Sequence, residues 1–212
     1  MKKSNFSAGK MARLAVLAAI LIVMGFTPLG YLKVNPAMTI TFNMIPVVIG
    51  AIVLGPSGGA ILGLVFGLTS FSQALTGADV LGTMLLNQSA LSAVLLFVMC
   101  VVPRVLAGLL PGLLFRALNK GANDEPPVEL RRMMAIVLTT LCGSVANTVF
   151  FISAFVGFFG TNELVTSAFG TTSIWSIVLV LLTINALVEA VVCAVVGTTI
   201  GRVMLRFVPK NK

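Results

Sequence analysis

Charge is what this chain has least of. Asp, Glu, Lys and Arg make up 9% of its residues against 58% hydrophobic, and the mean hydropathy is +1.09. A soluble domain carries about 25% charged residues. With so few, 212 residues could not cover a folded surface with groups that water solvates, so a soluble globular domain is excluded. Histidine is absent, and the three cysteines, Cys100, Cys142 and Cys193, stand alone inside apolar runs with no CxxC. Neither a zinc site nor a disulfide framework is therefore signalled, and each cysteine reads as small apolar packing. No G-x-x-x-x-G-K-[ST] occurs, which excludes ATP hydrolysis by the P-loop route. No G-x-S-x-G, HExxH or paired acidic motif supports a membrane hydrolase. The chain thus offers no catalytic residue and no resident cofactor. It also lacks a detectable internal repeat, which argues against a transporter built from two inverted halves.

The fourteen Lys and Arg residues that are present carry topology. Lys2, Lys3, Lys10 and Arg13 open the chain, and Arg116, Lys120, Arg131 and Arg132 flank its one long polar stretch. Arg202, Arg206, Lys210 and Lys212 close it, leaving Lys33 and Arg104 as exceptions. Short cytoplasmic segments of membrane proteins collect such residues. Both termini and the middle loop are therefore expected in the cytoplasm, with an even number of crossings. The net charge of +8 reads as inner-leaflet contact rather than nucleic-acid binding.

A span needs about 20 apolar residues. The expected fold is all-α and polytopic, one domain over 1–212 with six transmembrane helices. Helix one covers 11–32 and is read as retained rather than as a cleaved signal peptide. Helices two and three, 42–54 and 58–73, turn at Gly55-Pro56-Ser57-Gly58. The stretch 84–102 is the ambiguous part. Pro103-Arg104 divides it from the next apolar run, so 87–102 is read as an outer helical segment packed back on the bundle. Helix four then enters at 105–116. Two crossings here would make the total odd and put a basic terminus outside. After the charged linker 119–129 come helix five, 132–159, and helix six, from Trp175 at the outer interface to about residue 206.

Polar residues inside the apolar runs are the candidates for function. They are Thr41 and Asn43 before helix two, Ser70, Ser72 and Gln73 at the end of helix three, Asn87 and Gln88, Asn147 and Thr148 in helix five, and Asn185 in helix six. An unpartnered buried amide costs roughly 1–3 kcal/mol. These groups either hydrogen-bond one another or converge on a small polar molecule. Arg104 carries a planar fork that matches carboxylate or phosphate, though an outward-snorkelling anchor fits the same position. Asn185 and Glu189 are four apart, on one helical face, and an intramembrane acid is rare. Proton coupling and a hydrogen-bonded structural role both remain open for Glu189. On helix one, Ala12, Ala15 and Ala19 keep one face narrow enough for close approach of another helix.

Together these features resemble the substrate-binding S components of energy-coupling factor vitamin transporters. The matching features are Ala15-x-x-x-Ala19, the hairpin Gly55-Pro56-Ser57-Gly58-Gly59-Ala60 continued by Gly63 and Gly67, Pro103-Arg104-Val105-Leu106-Ala107-Gly108, and Asn185-x-x-x-Glu189. The resemblance implies a high-affinity vitamin-binding subunit in the plasma membrane of a prokaryote. It would join a transmembrane coupling protein through Ala15 and Ala19, and two cytoplasmic ATPases would use the ATP. The stretch with Thr39, Thr41, Asn43, Ser70, Phe71, Gln73 and Asn87 looks most like pantothenate-type members, with Arg104, Asn147, Trp175 and Asn185 completing the expected site. A flexible anionic ligand suits many amides and one arginine. Riboflavin, pyridoxine or folate types are the alternatives, as is a stand-alone proton-coupled transporter using Glu189.

Overall fold

The computed structural model describes residues 8–28, 30–35, 38–119, 128–182 and 186–206. Helix α1 (Ala8–Gly25) leads into a two-stranded antiparallel hairpin, β1 (Tyr31–Asn35) and β2 (Met38–Thr41), in which Tyr31 pairs with Thr41. Then follow α2 (Met44–Leu54), α3 (Pro56–Leu75), a short α4 (Val80–Leu86) and α5 (Ala90–Asn119). The chain ends with α6 (Val128–Phe159), a short α7 (Glu163–Phe169), α8 (Ile174–Leu181), α9 (Leu187–Val192), a π-helical turn over Cys193–Gly197, and α10 (Thr198–Arg206). Four helices, α1, α3, α5 and the 131–159 part of α6, are long and apolar enough to cross a membrane. The protein is therefore a helical multi-pass membrane protein with one small hairpin.

Helix α2 sits at the centre. Every one of its residues except Val53 is buried, as expected for a helix that is apolar all round. At 11 residues it rises only about 16 Å, short of a bilayer core. The chain leaves it at Gly55, whose φ of +86° and ψ of −173° suit glycine alone, and Pro56 starts α3 at once.

The close α3–α5 pairing comes from small residues. Gly59, Gly63 and Gly67 recur every fourth position, so they line one face of α3. There they meet the backbone of α5: Gly59 lies against Gly108, Gly63 against the Arg104 carbonyl, and Gly67 against Val101 and Cys100. Lipid gives helices no hydrophobic reason to associate, so contact of this kind is what holds them.

Two expectations are corrected. Helix one ends at Gly25, not near residue 32, because the chain turns into the hairpin instead. More consequentially, 87–102 is not a separate outer segment packed back on the bundle. Residues 87–89 connect α4 to α5, and 90–102 belong to α5, a continuous helix of 30 residues that carries Pro103 and Pro111 inside it. That length rises about 45 Å, ample for one crossing. A proline removes one hydrogen bond without ending a membrane helix when neighbours satisfy the freed carbonyl. Consequently Arg104 lies mid-helix and buried, rather than at a helix start.

The ends of α1 and α3 lie together, α5 runs antiparallel to α3, and the hairpin, α4 and α7 gather at that same end of the bundle. Basic residues mark the opposite end: Arg131 Nη2 donates to the Leu118 carbonyl at 3.3 Å, and Arg202 approaches Met133 Sδ at 3.9 Å.

Candidate functional site

At the hairpin end the helices enclose a cavity of about 140 Å³. One water needs roughly 10–15 Å³ on this measure, so the space suits a small molecule. Tyr31 and Thr41 of the hairpin line it, with Ser70 and Gln73 from the last turns of α3. Asp79 and Leu81, Gly82 and Leu85 come from the α4 region, and Leu96, Met99, Cys100 and Arg104 from α5. Asn147, Thr148, Phe151, Ile152 and Phe155 of α6, Phe169 of α7 and Glu189 of α9 complete the wall. The wall is mostly apolar, with a few convergent polar groups, which is the usual make-up of a small-molecule site.

Arg104 is the cation of this cavity and is only 5% exposed. Its Nη1 donates to the Met99 carbonyl at 2.8 Å, and Nη2 reaches Ser70 Oγ at the outer limit of 3.5 Å. The guanidinium centre lies 4.4 Å from the Phe151 ring centroid and 5.6 Å from that of Phe66. Nε is buried without a partner. Among the described residues no carboxylate forms an ion pair with this buried arginine, and Glu189 lines the same cavity.

Between α6 and α9, Asn147 Nδ2 donates to Glu189 Oε1 at 3.0 Å. Both residues are buried, Glu189 at 4% exposure. Asn147 Oδ1 has no partner, nor does Ser144 Oγ one turn earlier on α6. Sequence spacing linked Glu189 to Asn185. Its hydrogen-bond partner in the structure comes instead from another helix, and Asn185 lies outside the described residues.

The hairpin supplies an uncharged polar edge. Tyr31 OH, Thr41 Oγ1 and both amide atoms of Asn43 are buried without a well-formed hydrogen bond, with Thr69, Asn43 and Ser70 the nearest polar side chains to the Tyr31 phenol. Tyr31 rests on Phe66, with ring centroids 6.4 Å apart, so one phenylalanine underlies both Tyr31 and Arg104. Burial pushes the Tyr31 phenol above its ordinary pKa, so it stays a neutral donor and acceptor. Gln73 Nε2 donates to the Gly25 carbonyl and ties the end of α3 to the end of α1. Buried polar groups are nearly always paired. The orphan atoms of Tyr31, Thr41, Arg104 and Asn147 all belong to residues that line the cavity.

A family model for the ECF transporter, substrate-specific component, matches residues 9–201. The chain belongs to this family. Membership makes it a component of a transporter rather than an enzyme. This S component is also similar to the pantothenic acid transporter PanT of Lactococcus lactis subsp. cremoris (strain MG1363). The two are 29% identical over 215 residues, covering 94% of each chain.

Of the residues expected at the site, Thr41, Gln73, Arg104 and Asn147 line the S component's cavity. Asn43 is fully buried beside the hairpin and borders Gly30. Phe71 does not reach the cavity; it packs edge-on against Phe97 at 5.2 Å. Asn87 is exposed as the C-cap of α4, and Trp175 is 78% exposed at the start of α8. Ala15 and Ala19 are exposed on α1 and stand apart from the cavity. Sequence reasoning passed over Tyr31, Met99, Phe151, Phe155 and Phe169. Only Tyr31, the lone tyrosine of an apolar chain, carried a usable signal.

Proposed function

We propose that this S component binds pantothenate, or a closely similar small hydroxylated carboxylic acid, as the capture subunit of an ECF importer. The observation that carries the reading is Arg104, a buried guanidinium in a cavity whose wall also holds neutral donors and acceptors, phenylalanines and the two acids Asp79 and Glu189, neither of them paired with it in an ion pair. The ligand's carboxylate binds the Arg104 guanidinium, and its amide and hydroxyl groups engage Asn147, Gln73, Thr41 and Tyr31. Phe151, Phe155 and Phe169 exclude water from the hydrocarbon part. The pantothenate transporter named above, alike over most of its length, supports this choice of vitamin.

In this reading the chain makes six crossings with both termini in the cytoplasm of a prokaryotic cell. The cavity then opens near the outer face, and the basic end lies inside. The chain holds no cofactor. A transmembrane coupling subunit docks on α1, where Ala15 and Ala19 are exposed, and two cytoplasmic ATPase subunits supply ATP hydrolysis. Extraction of the protein purified without added vitamin, followed by mass spectrometry, should recover about one pantothenate per chain. Recovery of a different vitamin would retain the S component and change its substrate.

A second reading follows from Glu189, an acid buried on the cavity wall. A stand-alone proton-coupled transporter would use it to carry the proton. Uptake into vesicles that contain only this chain, abolished by Glu189→Gln, would favour that reading; no uptake without the ATPase subunits favours the importer.

A further inference from the structure

Pro103 and Arg104 are consecutive, and the structure joins them through a third residue. In an α-helix the N–H of residue 103 would donate to the carbonyl of residue 99. Proline has no N–H, so the Met99 carbonyl inside α5 loses its helical donor. That carbonyl accepts from Arg104 Nη1 at 2.8 Å. The guanidinium of the next residue therefore curls back toward the N-terminal end of the helix and replaces the hydrogen bond that the proline removed.

We propose that Pro103 is a positioning residue for ligand binding: the carbonyl it frees at Met99 fixes the Arg104 guanidinium on the cavity wall. The other contacts of Arg104 could not do this alone. The Phe151 and Phe66 rings, 4.4 and 5.6 Å away, attract the cation but leave it free to slide and turn over their faces. Ser70 Oγ, at 3.5 Å, is a marginal partner. A carbonyl at 2.8 Å is directional, and it engages one end of the fork while Nη2, held only at 3.5 Å by Ser70, is left for a carboxylate. The backbone is held as well, because Gly63 of α3 lies against the Arg104 carbonyl. With main chain and side-chain tip both fixed, less side-chain entropy is lost on binding. Pro103 itself is buried in α5 and does not line the cavity, so its effect on a ligand passes through Arg104. The proposal rests on the reading of Arg104 as the carboxylate ligand.

Pro103→Ala returns an N–H to the Met99 carbonyl and releases Nη1, while favouring the helix. The experiment is calorimetric titration of the full chain in detergent with pantothenate and with panthenol, in which a hydroxymethyl group replaces the carboxylate. Pro103→Ala should weaken pantothenate binding about tenfold, within the range for a hydrogen bond to a charged group. Panthenol binding should change less than about twofold. Pro103→Val, which also restores the N–H and keeps more of the volume, should behave alike. Adding Pro103→Ala to Arg104→Gln should cost nothing further, since the two act through one group. Unchanged or tighter pantothenate binding in both Pro103 variants, or equal loss for both ligands, would overturn the proposal. If Arg104→Gln weakens pantothenate while Pro103→Ala does not, the proposal fails and the carboxylate reading stands. If Arg104→Gln leaves pantothenate binding intact, the carboxylate reading falls and takes this proposal with it.

Discussion

Gly63→Ala adds a single carbon at the point where α3 and α5 touch, and the structure fixes what that carbon meets. It would press on the Arg104 carbonyl oxygen and lie 3.1 Å from the Val105 Cα, so both obstacles are backbone. Neither can rotate away as a side chain would; the helices must separate or slide. Overpacking of this kind costs about 1–3 kcal/mol, and a backbone obstacle belongs at the upper end. The control is Gly157→Ala in α6, where an added carbon meets nothing within 4 Å. Both substitutions gain the same helix propensity, roughly 0.5–1 kcal/mol for alanine over glycine. The difference between the two variants therefore isolates the overlap. Unfolding in one detergent, followed by circular dichroism with denaturant or heat, should find Gly157→Ala at or above the parent and Gly63→Ala about 1–3 kcal/mol below Gly157→Ala. Because the displaced backbone is that of Arg104, Gly63→Ala should also weaken pantothenate. Stabilities within about 0.5 kcal/mol of each other would refute the close-contact account of the α3–α5 pair.

Other outcomes follow from single side chains. Tyr31→Phe removes one neutral hydrogen bond and should weaken pantothenate binding by about 0.5–1.5 kcal/mol in titration, leaving stability nearly unchanged; no loss would remove Tyr31 from the site. Asn147→Leu leaves Glu189 without the amide that donates to it, and should destabilise the protein by about 1–3 kcal/mol, measured as a fall in Tm. Glu189→Gln in that background should recover part of the loss; no recovery would mean that Asn147 acts through packing. Ala15→Leu, on an exposed face of α1, should leave pantothenate affinity unchanged and reduce uptake by the assembled transporter, read as labelled vitamin in cells. A fall in affinity would instead give that face a role in binding.

The parts of this site legible in the sequence were those that break an apolar pattern. Arg104, Asn147, Gln73 and Thr41 stood out because hydrocarbon penalises unpartnered polar groups, and all four line the cavity. Residues that obey the pattern were invisible. Phe151, Phe155 and Phe169 look like any lipid-facing phenylalanine until the tertiary fold turns them inward. The depth of Arg104 was misread for a specific reason: Pro103 looked like a helix boundary, and a single sequence does not reveal that the arginine beside it replaces the missing hydrogen bond. The hairpin was missed because its strands, five and four residues long, are too short for alternation to register within an apolar chain. Asn87 and Trp175 show the converse, since a polar or aromatic residue near a helix end also serves as a cap or an interface anchor.

The central claim is that Arg104 holds the carboxylate of a pantothenate-like acid inside the cavity. Titration of the parent and of Arg104→Gln with pantothenate, under one set of conditions, tests it most directly. The parent should bind one equivalent, and the variant should bind about 1.5–3 kcal/mol more weakly, the range for hydrogen bonds to a charged group. A parent that binds no pantothenate, or a variant that binds it equally well, would contradict the account.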